Sequence, residues 1–286
     1  MKKIMTAALA LLAAASMTVA VSARQSYTAA SGTAVLDGKM DNCYLAATPI
    51  TANVEIAGTE DGFATGTAYA VWDAENIYVY AEITDPVIST TQGDAVFQSD
   101  SVEVYIDLLN EEGNEIANVN AAQYTAGYLY VDDNLQVTSD YWAGGGYHFN
   151  NNKENAVAVF DVSNKAGYSV EFRIPWGDEF QPAADAKIGF TFAINDAAND
   201  EAGREYQVFP DEELANAWMN TTNYGEMTLS ADVYVAPQPE VPAEEVPAET
   251  PAEESAPVSA PTTADAGIAA ALLAAAAAAI VVSKKR

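Results

Sequence analysis

Three side chains able to do acid–base or hydrogen-bonding chemistry recur at every second position of one short stretch. They are Glu103, Tyr105 and Asp107, within VFQSDSVEVYID at residues 96–107. Val102, Val104 and Ile106 fill the alternate positions, so in an extended strand the two sets face opposite ways. Carboxylates beside a phenol can break a bond, hold a polyhydroxylated ligand, or only meet water. Glycoside hydrolysis needs two carboxylates about 5–5.5 Å apart for retention or about 6.5–9.5 Å for inversion. Glu103 and Asp107 stand four residues apart, which on a strand is about 13 Å. A hydrolase would therefore draw its second carboxylate from another strand, with Glu82 and Glu171 as candidates. Sugar binding asks for less. Planar polar groups satisfy the hydroxyl rim of a pyranose, and an aromatic plate covers its C–H face. Asp, Asn, Gln and Tyr are abundant, and Phe97, Trp142, Trp176 and Trp218 fall in expected loops. Trp176 follows Pro175 and is expected to pack the edge of the fold; Asp107 and Asp196 are expected to bond turns.

Composition narrows the chemistry further. The 286 residues carry a formal charge of −29, and only seven Lys or Arg lie between Arg24 and Asp232. Such an acidic exterior repels nucleic acid and anionic membranes and suits neutral ligands or cations. His148 and Cys43 are the sole residues of their types, so zinc sites, Ser-His or Cys-His pairs and an internal disulfide have almost nothing to draw on. Haem ligation would have to use His148 with a partner such as Met. The Gly144-Gly145-Gly146 run lacks the Lys-Ser/Thr of a phosphate loop. Acidic turns at Glu60-Asp61 and Asp132-Asp133-Asn134 are candidates for calcium, though without the ligand spacing of a calcium loop.

The elements that must position these groups are short alternating strands. Tyr69–Trp72 leads through a polar turn into Ile77, Val79, Ala81 and Ile83. Strands follow at 102–106, 128–131, 157–162, 168–174, 188–194 and 227–229. A helical period is found only at 211–219. The pattern predicts an all-β, antiparallel β-sandwich, jelly-roll-like or immunoglobulin-like, over residues 24–232.

The flanks read as addresses. Residues 1–23 have a basic start, an apolar run and a Val21-Ser22-Ala23 cleavage site, the pattern of a secretory signal peptide cut after Ala23. Residues 233–261 form a Pro/Glu-rich linker, with repeated VPAE units that cannot bury a core. Residues 262–286 form an Ala-dominated run ending in Lys284-Lys285-Arg286, a marginal membrane span or a sorting signal. Ala260-Pro261-Thr262-Thr263-Ala264, the apolar run and the basic tail resemble the sortase signal of Gram-positive surface proteins. Pro261 and Thr263 match its pentapeptide, whereas Ala260 and Ala264 replace the usual Leu and Gly. That resemblance implies cleavage after Thr263 and attachment to the cell wall; without it, the run implies a membrane anchor.

Six stretches occur in order from Thr33 to Leu229: VLDGKMDNCY, AVWDAENIYVYAEITDPV, VFQSDSVEVYID, GYSVEFRIPW, IGFTFAIND and NYGEMTLS. Together they resemble the family 9 carbohydrate-binding modules. The resemblance implies a DOMON-like sandwich that grips the end of a xylan, cellulose or related chain without cleaving it. It implies aromatic plates at Phe97 and Trp218 and a hydroxyl acceptor at Glu103. Structural calcium accompanies some members. Binding members carry Arg near Thr125 and Gln near Ala193, so this chain departs at both; Gln123, Asn216 and Asn220 are candidates to compensate. The departures keep open a surface adhesin whose sugar site has degenerated.

Overall fold

A computed structural model of the chain describes residues 24–58, 63–89, 95–111, 113, 115, 120–131, 134–143, 155–177, 180–197 and 203–237. The signal segment, most of the linker, the C-terminal tail, the Glu60-Asp61 turn, Asp132-Asp133, the Gly144–Gly146 run and His148 lie outside the described residues.

The described residues form thirteen strands. These are β1 (Ser26–Ser31), β2 (Ile50–Ala52), β3 (Val54–Ala57), β4 (Thr65–Trp72), β5 (Asn76–Thr84), β6 (Ser101–Asp107) and β7 (Ala121–Val131). They continue with β8 (Asn134–Ala143), β9 (Val157–Asp161), β10 (Gly167–Pro175), β11 (Lys187–Asp196), β12 (Tyr206–Phe209) and β13 (Gly225–Leu229). The hydrogen-bonded order is β8-β7-β6-β11-β13-β1-β4-β5-β10-β9, with β12 bridging β11 and β3, and β2 on β4. β1 joins two layers. Its Ser26–Ala29 half pairs in parallel with β13, and Ala30–Ser31 pairs in parallel with β4. The other strand pairs are antiparallel.

One apolar core lies between the layers. Val102, Val104 and Ile106 of β6 meet Ile77, Val79, Ala81 and Ile83 of β5 and Val170, Phe172 and Ile174 of β10 in a single buried cluster. The predicted alternation is therefore realised, and the all-β sandwich with it. The expected helical stretch at 211–219 is instead a short 3₁₀ turn, Glu212–Leu214, followed by further turns.

The outer face of the β5–β10 layer is also covered. The segment after Gly32 folds over it, and Tyr44, Tyr78, Tyr80 and Val71 form a second buried cluster. Glu171 on β10, itself fully buried, anchors this cover. It accepts bonds from Tyr44 Oη at 2.8 Å and from the Asp37 and Gly38 amides at 3.0 and 3.2 Å. Ser169 Oγ donates to the Gly38 carbonyl at 2.6 Å. Gly38 is required where it stands: its φ is +77°, and a Cβ would come within 2.8 Å of the β9 backbone. Glu171→Gln removes one acceptor from this anchor and leaves a buried donor unpaired. The expected cost is about 1–2 kcal/mol, read as a lower denaturation midpoint at unchanged denaturant dependence. An unchanged midpoint would remove Glu171 as the anchor.

Candidate functional site

The register of β7, β6 and β11 puts Thr125, Glu103 and Ala193 in one cross-strand row, with Gln123, Tyr105 and Thr191 in the next. Gly127, Ser101 and Asn195 form the row on the other side, extended to Gln207 on β12. Residues paired in this way share a sheet face, so the positions that depart from the sugar-binding pattern flank Glu103 directly.

Glu103 is only 2% exposed and is held by donors on both sides. Gln123 Nε2 donates to Oε1 at 3.0 Å, and Gln207 Nε2 donates to Oε2 at 3.1 Å. The Tyr105 hydroxyl donates to the same Oε2. Gln123 Nε2 also reaches Thr125 Oγ1, 3.1 Å away. Burial and the neighbouring Glu103 charge push the Tyr105 phenol well above its ordinary value, so it stays a donor. A carboxylate has about four acceptor positions. Three are used here, which leaves Glu103 room for one more donor.

The Glu103 face is not wet, as simple alternation would have it. Every residue of β6 is buried, because the segment from Glu212 to Tyr224 folds over it. Tyr105, Ala193, Phe209, Leu214, Ala217 and Tyr224 make a third apolar cluster there. Tyr224 Oη donates to the Ala217 carbonyl at 2.8 Å, and Asn223 Nδ2 to the Glu213 carbonyl at 2.7 Å. Asp211 caps the turn by accepting from the Glu213 amide at 3.0 Å. This fixed segment carries Trp218, which is 50% exposed, and Asn216, whose side chain is also exposed. The Asn216 carbonyl accepts from the Met219 and Asn220 amides.

Phe97 lies in a 3₁₀ turn, Val96–Gln98, just before β6. It is half-buried, and the Arg204 guanidinium carbon stands 5.1 Å over its ring. The structure thus brings Glu103 and Gln123 into contact, and places Phe97 and the Trp218 segment on the elements around them. Sequence reasoning missed Gln207 and Arg204. The run Tyr206-Gln207-Val208-Phe209 is buried throughout and offers no alternation to mark a strand. Trp176 is buried, donates through Nε1 to the Asp73 carbonyl at 2.9 Å and packs on Phe180, the structural role expected of it. Asp107 bonds the turn after β6, accepting from the Leu109 and Glu111 amides at 3.2 and 2.7 Å. Trp142 lies on β8, with its side chain outside what is described.

The two other candidate catalytic carboxylates lie elsewhere. Glu82 faces Ser169 in the β5–β10 pairing, and Glu171 is two residues further along β10. Both belong to the layer opposite β6, so neither partners Glu103.

A second cluster gathers Asp85 after β5, Asp100 before β6 and Asp196 at the end of β11. One carboxylate oxygen from each lies within 4.8 Å of the others, and all three residues are buried. Backbone amides hold them: Val87 on Asp85 at 2.8 Å, Ala197 on Asp100 at 2.8 Å and Ala64 on Asp196 at 2.6 Å. Ser89 N donates to the other Asp100 oxygen. Among the described residues, Asp85 Oδ2 and the Tyr168 hydroxyl are buried without a hydrogen-bond partner. Burial first, then the charge of neighbouring carboxylates, raises the pKa of all three. Three crowded carboxylates with an unused oxygen fit a hard cation, since calcium takes oxygen ligands only. Asp196 is expected to hold the chain after its strand; its carboxylate instead holds the Ala64 amide before β4, while Asp100 holds Ala197, and the triad is assembled from positions too far apart to read as a motif.

Residues 36–232 match the profile of the family described as carbohydrate family 9 binding domain-like. The chain is 31% identical over 204 residues to an endo-1,4-beta-xylanase A of Thermoanaerobacterium saccharolyticum, covering 71% of this chain and 16% of that enzyme. It is also 31% identical over 204 residues to the exoglucanase XynX of Acetivibrio thermocellus, covering 71% and 17%. It therefore spans about a sixth of these relatives. Among solved structures, a family 9 carbohydrate-binding module from Caldicellulosiruptor kristjanssonii in complex with cellotriose is similar in fold. Its TM-score is 0.58 at 24% identity, over 76% of this chain and 100% of that one. The same module in complex with glucose matches with the same TM-score and identity over 74% of this chain.

Proposed function

The chain belongs to the family 9 carbohydrate-binding modules, and from that premise we propose that it holds a neutral glycan of the cellulose or xylan type at a cell surface without cleaving it. The observation that carries this reading is the Glu103 cluster. Its carboxylate is clamped by Tyr105, Gln123 and Gln207, beneath the segment that presents Trp218. The clamp fixes an acceptor for a sugar hydroxyl, and the exposed indole supplies a plate for the C–H face. Nothing in this arrangement points to hydrolysis, because Glu103 already accepts from three donors and, among the described residues, the candidate partner carboxylates Glu82 and Glu171 lie in the opposite layer. The xylanase and exoglucanase relatives extend far beyond the matched region, and their catalysis is assigned to their own further segments.

Export and display rest on the flanks: cleavage after Ala23, the extended Pro/Glu linker as a spacer, and retention by the C-terminal run, with cleavage after Thr263 if sortase accepts Ala-Pro-Thr-Thr-Ala. Among the described residues no helix is long and apolar enough to cross a membrane. Calcium is assigned to the Asp85–Asp100–Asp196 triad, as a structural ion tying the ends of three strands. The acidic chain suits a neutral polysaccharide better than an anionic one.

Titration of the mature chain with cello-, xylo- and manno-oligosaccharides, followed by tryptophan fluorescence, tests the reading. Saturable binding to cello- or xylo-oligosaccharides is the expected result. Absence of binding to all three series would favour the adhesin reading, for which the short side chains of Thr125 and Ala193 beside Glu103 would be the reason.

A further inference from the structure

Arg204 is the one group at this site that neither the motif pattern nor the core explains. It precedes β12 in a turn whose Gly203 adopts φ +71°, and a Cβ at Gly203 would meet Gln98 Oε1 at 2.8 Å. The turn is thus seated against the residue that follows Phe97. From there the guanidinium lies over the Phe97 ring. Its Nη1 donates to Asn195 Oδ1 at 2.9 Å, and Asn195 Nδ2 donates to Ser101 Oγ at 3.1 Å. Asn195 and Ser101 occupy the row next to Glu103 and Ala193, on the same face. The positive charge also reaches the Tyr105 phenol, whose rise it opposes.

The chain carries 41 acidic residues, yet among the described residues no carboxylate pairs with this half-buried guanidinium. A guanidinium has five N–H donors in a planar fork, and Asn195 uses one of them. A residue serving only to staple the turn would gain more from a carboxylate partner. Cation–π contact and one amide instead hold the fork in place and leave donors free.

We propose that Arg204 is a direct sugar contact. Its guanidinium and the Phe97 ring form one composite plate, whose face meets the pyranose and whose N–H edge donates to adjacent hydroxyl oxygens. In this way β12 and the residues just before it supply what the rows beside Glu103 lack. Gln207 brings an amide to the Glu103 carboxylate, where Ala193 has none. Arg204 brings a guanidinium, where Thr125 has none. The inference rests on the sugar-binding reading above and names the residue that sets its affinity and hydroxyl preference.

The test uses the mature chain, with cellotriose and xylotriose titrated by calorimetry and the tighter ligand carried forward. Arg204→Ala is expected to weaken binding about tenfold, since hydrogen bonds to a charged donor are among the stronger ones, with Tm essentially unchanged. Arg204→Lys keeps the charge but loses the fork and should recover only part of the affinity. Monodeoxy analogues of the terminal sugar separate contact from mere support. The wild type should lose affinity when one particular hydroxyl is removed, and Arg204→Ala should be indifferent to that same removal. Wild-type affinity retained in Arg204→Ala, or an unchanged deoxy profile, overturns the role of Arg204 while leaving the sugar site standing. No binding by the wild type overturns the sugar-binding reading itself, and Arg204's role with it.

Discussion

Trp218→Ala is expected to weaken oligosaccharide binding at least thirtyfold while leaving the fold intact. The indole is half-exposed, whereas its neighbour Ala217 and nearby Leu214 and Tyr224 carry the packing of the segment onto Tyr105. Truncation therefore removes little buried area, and Tm should move by no more than about 2 °C, less than about 1 kcal/mol for a domain of this size. The loss of binding is larger because a rigid aromatic in contact with ligand is the usual hot spot, worth about 2 kcal/mol or more. That figure corresponds to roughly thirtyfold. Phe97→Ala should weaken binding less per atom removed, and it should also cost stability, because that ring is half-buried and carries the Arg204 guanidinium. Calorimetry is the suitable measurement, since the variant lacks the fluorophore nearest the proposed ligand. Affinity within threefold of wild type would remove Trp218 from the site.

The contrast between these two aromatics shows how much could be read from the chain and how much could not. Alternation correctly sent Val102, Val104 and Ile106 into the core, and the mixed polar set to the other side. It could not show that this other side is roofed, because period two reports which face a residue takes and not what covers that face. The roof comes from residues 212–224, over a hundred positions later. β12 and β1 escaped notice for related reasons. Tyr206–Phe209 is buried on every side, and Ser26–Ser31 is built of small residues that pair in parallel with strands far away in sequence. The plates Phe97 and Trp218 came from resemblance. Gln207 became visible only when the β11–β12 pairing set it in the row next to Glu103, and Arg204 only through its contacts with Phe97 and Asn195. The triad was hidden in the same way, because no spacing links residues 85, 100 and 196.

Removing divalent cations should lower Tm at neutral pH by about 5–10 °C, and adding calcium should restore it. An ion at a hundred times its dissociation constant stabilises by about 2.7 kcal/mol, and a domain of this size shifts by about 2–4 °C per kcal/mol. The sign with pH follows from the carboxyls themselves. Burial raises Asp85, Asp100 and Asp196 above the ordinary 3.8, helped by repulsion from the other triad carboxylates at Asp85 and Asp100 and from Glu205 at Asp196, so the metal-free fold binds protons more tightly than the unfolded chain at these groups. The part of its stability that these three carboxyls contribute is therefore full in acid and is lost as pH rises from about 4 through the raised values. Calcium replaces the lost protons, so its effect should grow with pH across this window and vanish in acid, where protons hold the carboxylates together. Asp85→Asn separates an ion site from a merely crowded one. It keeps an oxygen for the Val87 amide and removes one negative charge from the cluster. The variant should lose the calcium response, and without metal it should be more stable than metal-free wild type at neutral pH, because a buried like-charge repulsion is gone. A wild-type Tm indifferent to chelation at neutral pH would rule out the ion. A variant less stable than metal-free wild type would show that the Asp85 charge is compensated by some other means.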